Sequence, residues 1–298
     1  MTNRTLNFEP DRRHFLALGM GAAAVLVLPG AVLAAGRAAD IRTLAFDGDT
    51  LLIAGATLRS SPDGGRSWHD RPTPSPVSSI ATHPARPGRL LAGLARGGVT
   101  ASDDGGTTWT ARSEGLASGE VTALAVAAGN PDMIYAAIRG DGLWKTEDAG
   151  ATWALAMDRP WLDAAERDPL TLASVDLETG MGGIWIYAGT EKGLTRVPDC
   201  FCRWQDVQPG NAMDALAAGA PPAEAPLPAN EPVLSLASAP STPSILYAAL
   251  PSGVWTSQDG GVVWTQTANG QGSAIAVHPS NENPVAAVLD GTLKLSRD

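Results

Sequence analysis

Residues 61–68 read SPDGGRSW, and near-copies of this octet recur along the chain. The copies are SDDGGTTW (102–109), TEDAGATW (146–153) and SQDGGVVW (257–264). The stretch before each octet recurs as well: an alternating apolar run, a turn that contains proline, a second apolar run, then a third short run. Each octet therefore closes a unit of about 40 residues that is built from short strands.

Two further units are degenerate. Residues 197–204 (VPDCFCRW) keep Asp199 and Trp204 at octet spacing, and a last unit reaches Asp298. Together with the four units that end in the octets above, these make six units of four short strands. They predict an all-β, six-bladed β-propeller of four-stranded antiparallel blades; a seventh blade is the less favoured alternative. Because unit six stops before an outer strand, we expect residues 35–40 to pair there, or a three-stranded last blade.

The first 39 residues have the features of an export signal. Arg12 and Arg13 precede Phe15 and Leu16, and an apolar run then ends in small residues. This order predicts a twin-arginine signal peptide over 1–39, cleaved between Ala34 and Ala39, and export of the folded chain to the bacterial periplasm. A retained membrane anchor is the alternative. Residues 40–298 form a single propeller in this interpretation, with loop insertions at 154–169 and 208–232.

The charge balance excludes some partner classes. The whole sequence carries a formal charge of −10. Removal of residues 1–39 deletes four arginines and two acidic residues, which leaves 17 basic against 29 acidic residues and a charge of −12. Such a surface repels phosphate, so we expect no nucleic-acid partner and no docking on anionic lipid by general basicity. We also expect no integral membrane span after signal removal.

The octet pattern S/T-x-D-x-G-x-x-W resembles the Asp-box (BNR) repeat of sialidases, sortilin-type receptors, and photosystem assembly and stability factors. The resemblance covers residues 41–298. It implies that each octet joins the third strand of a blade to the outer fourth strand. The aspartate would then accept hydrogen bonds from turn amides, and the tryptophan would be buried under the turn. With one carboxylate per blade at the rim, we expect a structural role and neither calcium binding nor acid catalysis.

The sialidase branch of this resemblance implies an arginine triad, a tyrosine nucleophile with a glutamate, and an aspartate acid/base. Tyr135, Tyr187 and Tyr247 occupy one repeated strand position, which in the second unit is Leu91. A position that accepts leucine is a packing position. The sequence RVP at Arg196 lies inside a degenerate octet, away from the position of the family's arginine motif. We therefore predict no sialidase activity and assign no catalytic residue and no cofactor. A glycosidase that uses two carboxylates stays open.

The histidines and cysteines outside this pattern give weaker signals. His69, His83 and His278 lie beside an octet or in His-Pro turns, so we expect framework roles for all three. Cys200 and Cys202 form a C-x-C pair within the degenerate octet. Such a pair could bind a soft metal ion such as copper(I) or act as a redox pair. A disulfide across a tight loop and a locally evolved turn are the alternatives.

For function, the favoured hypothesis is an exported, non-enzymatic scaffold. It would bind a protein partner and aid the assembly or stability of a periplasmic or membrane complex. The alternative is a glycan-binding or glycoside-hydrolysing propeller. We expect the partner near the degenerate octet and the 208–232 insertion, because one sector of the ring has diverged there.

Overall fold

The repeat folds into a ring of six antiparallel sheets, which confirms the predicted six-bladed all-β propeller. The computed structural model describes residues 41–177, 179, 183–207, 225–280 and 285–296. Within those residues there is no α-helix, and hence none long and apolar enough to cross a membrane. The predicted signal peptide lies outside the described residues.

The first three blades each contain four strands in sequential order. Blade 1 is β1 (Ile41–Asp47), β2 (Thr50–Gly55), β3 (Leu58–Ser61) and β4 (His69–Arg71). Blade 2 is β5 (Val77–Ala81), β6 (Leu90–Leu94), β7 (Val99–Ser102) and β8 (Thr110–Ala111). Blade 3 is β9 (Val121–Ala127), β10 (Asn130–Ile138), β11 (Gly142–Thr146) and β12 (Ala154–Asp158), and a hairpin of β13 (Trp161–Leu162) and β14 (Ala165–Glu166) follows it.

The last three blades repeat the order, with a shorter sixth sheet. Blade 4 is β15 (Thr171–Val175), β16 (Trp185–Thr190), β17 (Gly193–Pro198) and β18 (Gln205–Asp206). Blade 5 is β19 (Ser235–Ala239), β20 (Thr242–Leu250), β21 (Gly253–Ser257) and β22 (Trp264–Asn269). Blade 6 is β23 (Gly272–Val277), β24 (Val285–Leu289) and β25 (Thr292–Leu295). The described residues thus give blade 6 three strands, and residues 35–40 lie outside the described part of the chain.

The core lies between blades rather than at one centre. Each pair of neighbouring blades shares one buried apolar cluster, because a short sheet with two apolar faces must bury both against its neighbours. Blades 6 and 1 close the ring in the same way: Phe46 and Leu51 pack with Val288 and Leu293. His278 adds a polar contact across this closure, with its Nε2 at 2.9 Å from Asp49 Oδ1.

The connections divide the ring into two faces. The octets, which join third to fourth strands, lie on the same face as the turns between first and second strands; we call this the octet face. The opposite face carries the connections from each outer strand to the next inner strand; we call it the link face. All pairings within the blades are antiparallel, so successive turns alternate between the two faces.

The two sequence segments predicted as loop insertions have different outcomes. The segment 154–169 is not a plain loop. It begins with β12, the outer strand of blade 3, and continues into the β13–β14 hairpin on the link face. Of the segment 208–232, residues 208–224 lie outside the described residues. Ala225 forms a parallel bridge with Val263, and its carbonyl accepts the Trp264 N–H at 2.8 Å.

Candidate partner-binding site

The octets form closed hydrogen-bonded turns. In the first, Ser61 Oγ donates to Asp63 Oδ1 at 2.8 Å and accepts the Gly65 N–H at 2.6 Å. The same carboxylate oxygen accepts the backbone N–H groups of Arg66 at 3.0 Å and Ser67 at 2.9 Å. Gly65 has φ 86°, a conformation that a Cβ would penalise. The arrangement recurs at the other three intact octets.

These hydrogen bonds lower the pKa of three octet aspartates, Asp63, Asp104 and Asp148. The backbone and hydroxyl of Thr108, with Ser102, lower the pKa of Asp104 to about 2. Hydrogen bonds from Thr146 and Thr152 lower the pKa of Asp148 to about 2. A carboxylate held in this way has no proton to give near neutral pH. In the described part of the chain no three His, Cys, Asp or Glu residues cluster as a metal site would require. The hydrogen bonds within each octet fix the shape of its turn, which is consistent with the structural role expected for the octets.

The octet tryptophans also link neighbouring blades. Three of them donate from Nε1 to a carbonyl at the end of the preceding blade's outer strand: Trp109 to Pro72 (2.6 Å), Trp153 to Arg112 (2.8 Å) and Trp204 to Asp158 (2.9 Å). The other two, Trp68 and Trp264, donate within their own octets, to Gly65 and Gly261. The predicted burial under the turn holds for Trp153 and Trp264, whereas the other three are partly exposed.

A pocket of about 280 Å³ lies on the axis of the ring and is lined by residues of all six inner strands and of several turns that follow them. Asp176 is the single carboxylate among its described lining residues. His83, which also lines it, accepts the Ala85 N–H on Nδ1 at 3.1 Å, so its Nε2–H donates to the Ala128 carbonyl at 3.0 Å. Both ring nitrogens are occupied, and the predicted framework role of His83 is consistent with these contacts.

The tyrosines are buried, as predicted for packing positions. The Tyr187 hydroxyl donates to the Gly260 carbonyl at 2.7 Å and accepts from Arg196 at 3.1 Å. Burial raises the pKa of Tyr187, although the Arg196 charge opposes that shift. Arg196 is 7% exposed and stacks 4.1 Å from the Trp185 ring centre. This cluster packs blade 4 against blade 5, and the phenol lacks the access and the acidity that a nucleophile needs.

Cys200 and Cys202 are joined by a disulfide at the tip of the blade 4 octet. This is the disulfide alternative of the sequence interpretation. The bonded sulfurs are not thiolate ligands in this form, so metal binding by Cys200 and Cys202 stays a prediction for the reduced pair. Between them, Phe201 has φ 53° and packs on Tyr135, with ring centres 5.8 Å apart.

On the link face, the β13–β14 hairpin carries a large exposed apolar side chain. Trp161 is 66% exposed, and the only other exposed large hydrophobic residue among those described is Leu155, on the adjacent strand β12. The hairpin turns at Asp163 and Ala164, both with positive φ (52° and 57°). The sequence marked this segment as an insertion but gave no sign of a hairpin.

Ion pairs brace this hairpin against blades 3 and 4. Arg159 pairs with Glu166 across the hairpin and lies 3.3 Å from Asp168. Asp168 accepts the Gly140 N–H at 2.8 Å from a turn of blade 3. On the other side, Lys192 of blade 4 lies 3.7 Å from Asp163. Trp161 thus lies on a hairpin that contacts blade 3 at its base and blade 4 at its turn.

Comparisons with known proteins give likeness at the level of fold. No family model and no curated protein matches the sequence. Among solved structures, a GH74 xyloglucanase from Xanthomonas campestris is similar over 87% of this chain and 45% of its own, with 18% identity and a TM-score of 0.56. A structure of YCF48 bound to D1 peptide is similar over 87% and 77%, with 19% identity and a TM-score of 0.52.

A YCF48 from Cyanidioschyzon merolae is also similar, over 85% of this chain and 79% of its own, with 16% identity and a TM-score of 0.51. The chain spans less than half the length of the GH74 enzyme that it matches. At identities below 20%, these likenesses establish the propeller fold.

Proposed function

We propose that the chain is an exported, non-enzymatic propeller scaffold that binds a protein partner through the surface around Trp161. The observation that carries this proposal is the exposure of Trp161 on a hairpin that contacts two blades, through the Asp168–Gly140 hydrogen bond to blade 3 and the Lys192–Asp163 ion pair to blade 4. The role we propose is to aid the assembly or stability of a periplasmic or membrane complex.

The physical basis is the cost of ordering a side chain on binding. A tryptophan offers a large apolar area and has only two side-chain dihedrals to order, so it loses little conformational freedom when its backbone is already held. The exposed indole is unfavourable in water, so burying it in a partner's apolar socket yields binding energy. The charged residues beside it, Arg159, Glu166 and Asp163, would form a polar rim around such a contact.

Two further points support this proposal. One structural neighbour, YCF48, was solved with D1 peptide bound, so a propeller of similar fold can hold a protein segment. The octets also carry the Asp-box pattern, which we propose as the family origin of the repeat.

Residues 1–39 would direct the folded chain to the periplasm as a twin-arginine signal. A variant with Lys in place of both Arg12 and Arg13 should stay in the cytoplasm, and unchanged periplasmic recovery would contradict this route.

Glycoside hydrolysis is the alternative, suggested by the GH74 neighbours. Hydrolysis of a glycosidic bond needs two carboxyl groups that flank it. The axial pocket presents Asp176 as the single carboxylate among its described lining residues. This composition favours a non-enzymatic role.

The test is capture of partners from periplasmic extract with the wild-type chain, followed by identification and a calorimetric Kd for the purified partner. Trp161→Ala should weaken that affinity by roughly 30-fold, which corresponds to the ~2 kcal/mol expected of a central aromatic contact. His69→Ala is the matched control, because His69 is exposed on the outer strand of blade 1. If the Trp161 variant binds the partner as tightly as the wild type, the partner does not bind through the surface around Trp161.

The same preparations should be assayed for release of reducing sugar from β-glucan and sialoside substrates. The scaffold proposal expects no turnover. Turnover that Asp176→Asn abolishes would instead establish the glycosidase alternative.

A further inference from the structure

The disulfide of the blade 4 octet has no counterpart in the other octets. Cys200 and Cys202 stand where the first octet has Gly64 and Arg66. The four intact octets form the same turn with Ser or Thr and Asp hydrogen bonds alone. A cross-link is therefore not a general requirement of this turn.

The bridge is also a poor stabiliser of the fold. A disulfide stabilises mainly by closing a loop in the unfolded chain, and its effect grows with the length of that loop. Cys200 and Cys202 are separated by only two positions, so their bridge restricts the unfolded chain very little. The flanks of the turn have their own contacts: the Trp204 indole donates to Asp158, and the Asp199 N–H donates to Ile184.

The bridge is accessible, and the turn that carries it forms elsewhere without a cross-link. Both cysteines are exposed on the octet face, so a thiolate in solution can reach them. Phe201, between them, has φ 53° at a position where intact octets have glycine. The intact octets have a positive φ at this position without a cross-link, so the conformation of the turn does not depend on the bridge.

From these observations we propose that Cys200–Cys202 is a thiol–disulfide exchange site that oxidises paired thiols of a polypeptide client. One client thiolate attacks a bridging sulfur, the S–S bond breaks, and the electron pair leaves with the other sulfur as a thiolate. The second client thiolate then attacks the client sulfur of the mixed disulfide, that S–S bond breaks, and the cysteine of the chain leaves as a thiolate. Two electrons pass from the client dithiol to the cysteine pair, which ends reduced, and the client ends with a disulfide.

The experiment titrates the native full chain with mixtures of reduced and oxidised glutathione, quenches by alkylation and counts modified cysteines by mass spectrometry. Structural disulfides resist the glutathione pool, whereas exposed exchange-active ones do not. We expect about half or more of the chains to be reduced in a mainly reduced glutathione mixture, with the β-sheet circular dichroism unchanged. A bridge that opens only in urea, or only with loss of that signal, would overturn the proposal.

A second measurement follows oxidation of a peptide that carries two thiols. The oxidised chain should convert one equivalent of peptide to its disulfide, and Cys200→Ser with Cys202→Ser should abolish this. Trp161→Ala should exchange like the wild type, so this result is independent of the proposed partner surface. Equal peptide oxidation by the double serine variant would also overturn the proposal.

Discussion

Replacement of Trp153 tests whether the octet tryptophans hold neighbouring blades together. This side chain is 6% exposed, packs in the cluster between blades 2 and 3, and donates to the Arg112 carbonyl at 2.8 Å. Truncation of a buried tryptophan to alanine costs about 3–5 kcal/mol, because both the apolar contact and the volume are lost. For a chain of this size that corresponds to a fall in Tm of roughly 6–20 °C.

Trp153→Phe separates the two contributions. Phenylalanine keeps much of the apolar contact but leaves the Arg112 carbonyl without its donor, and one such hydrogen bond contributes about 0.5–1.5 kcal/mol. We therefore expect the free energy of unfolding to fall by much less for Trp153→Phe than for Trp153→Ala.

The assay is urea unfolding followed by both tryptophan fluorescence and far-UV circular dichroism. Coincident transitions would justify a single free energy of unfolding. Leu155→Ala is the control, because Leu155 is 52% exposed and its truncation should change stability by about 0.5 kcal/mol or less. If Trp153→Ala lowers the free energy of unfolding by less than about 1 kcal/mol, the octet tryptophan does not stabilise the contact between neighbouring blades.

Three further predictions follow from packing and charge. Gly93→Ala would place a Cβ 2.6 Å from Val121 Cγ1 in the next blade, so it should cost about 1–3 kcal/mol in urea unfolding, and a second Val121→Ala change should recover part of the loss. Tyr187→Phe should cost about 1–3 kcal/mol by the same measurement, because a buried carbonyl loses its donor; no change would contradict the role given to the phenol. The pKa of Asp104 falls from 3.8 to about 2 on folding. The contribution of this carboxylate to the free energy of unfolding is therefore complete above about pH 4 and is lost towards pH 2. In Asp104→Asn, the urea midpoint should fall less steeply than in the wild type between pH 4 and pH 2. An unchanged pH dependence would show that the Asp104 carboxylate does not contribute to stability in this way.

The fold could be predicted from the sequence because the turn formed by each octet depends mainly on residues within that octet. Asp63 and its neighbours make nearly all their hydrogen bonds within eight residues, so a repeated sequence means a repeated turn. The packing role of Tyr187 could be predicted for a similar reason, since its position recurs in other units. Periodicity therefore reports features that every blade shares.

The candidate site could not be predicted in the same way. The β13–β14 hairpin turns at Asp163 and Ala164, and neither residue is the glycine that usually marks a turn with two positive φ values. The bracing pairs join residues such as Lys192 and Asp163 that meet only after blades 3 and 4 are packed. The export signal and the partner class stay predictions, because they depend on residues and molecules beyond the described ring.

The direction of the tryptophan contacts has a consequence for how the ring is made. Trp109, Trp153 and Trp204 each reach back to a carbonyl of the blade that precedes them in the chain. The acceptor is thus always synthesised before its donor, and Trp68, in the first blade, bonds within its own octet. As the chain emerges from the ribosome, blades 2, 3 and 4 can therefore each dock on a blade that is already complete. Only the contact between blades 6 and 1 requires the last unit to be synthesised first.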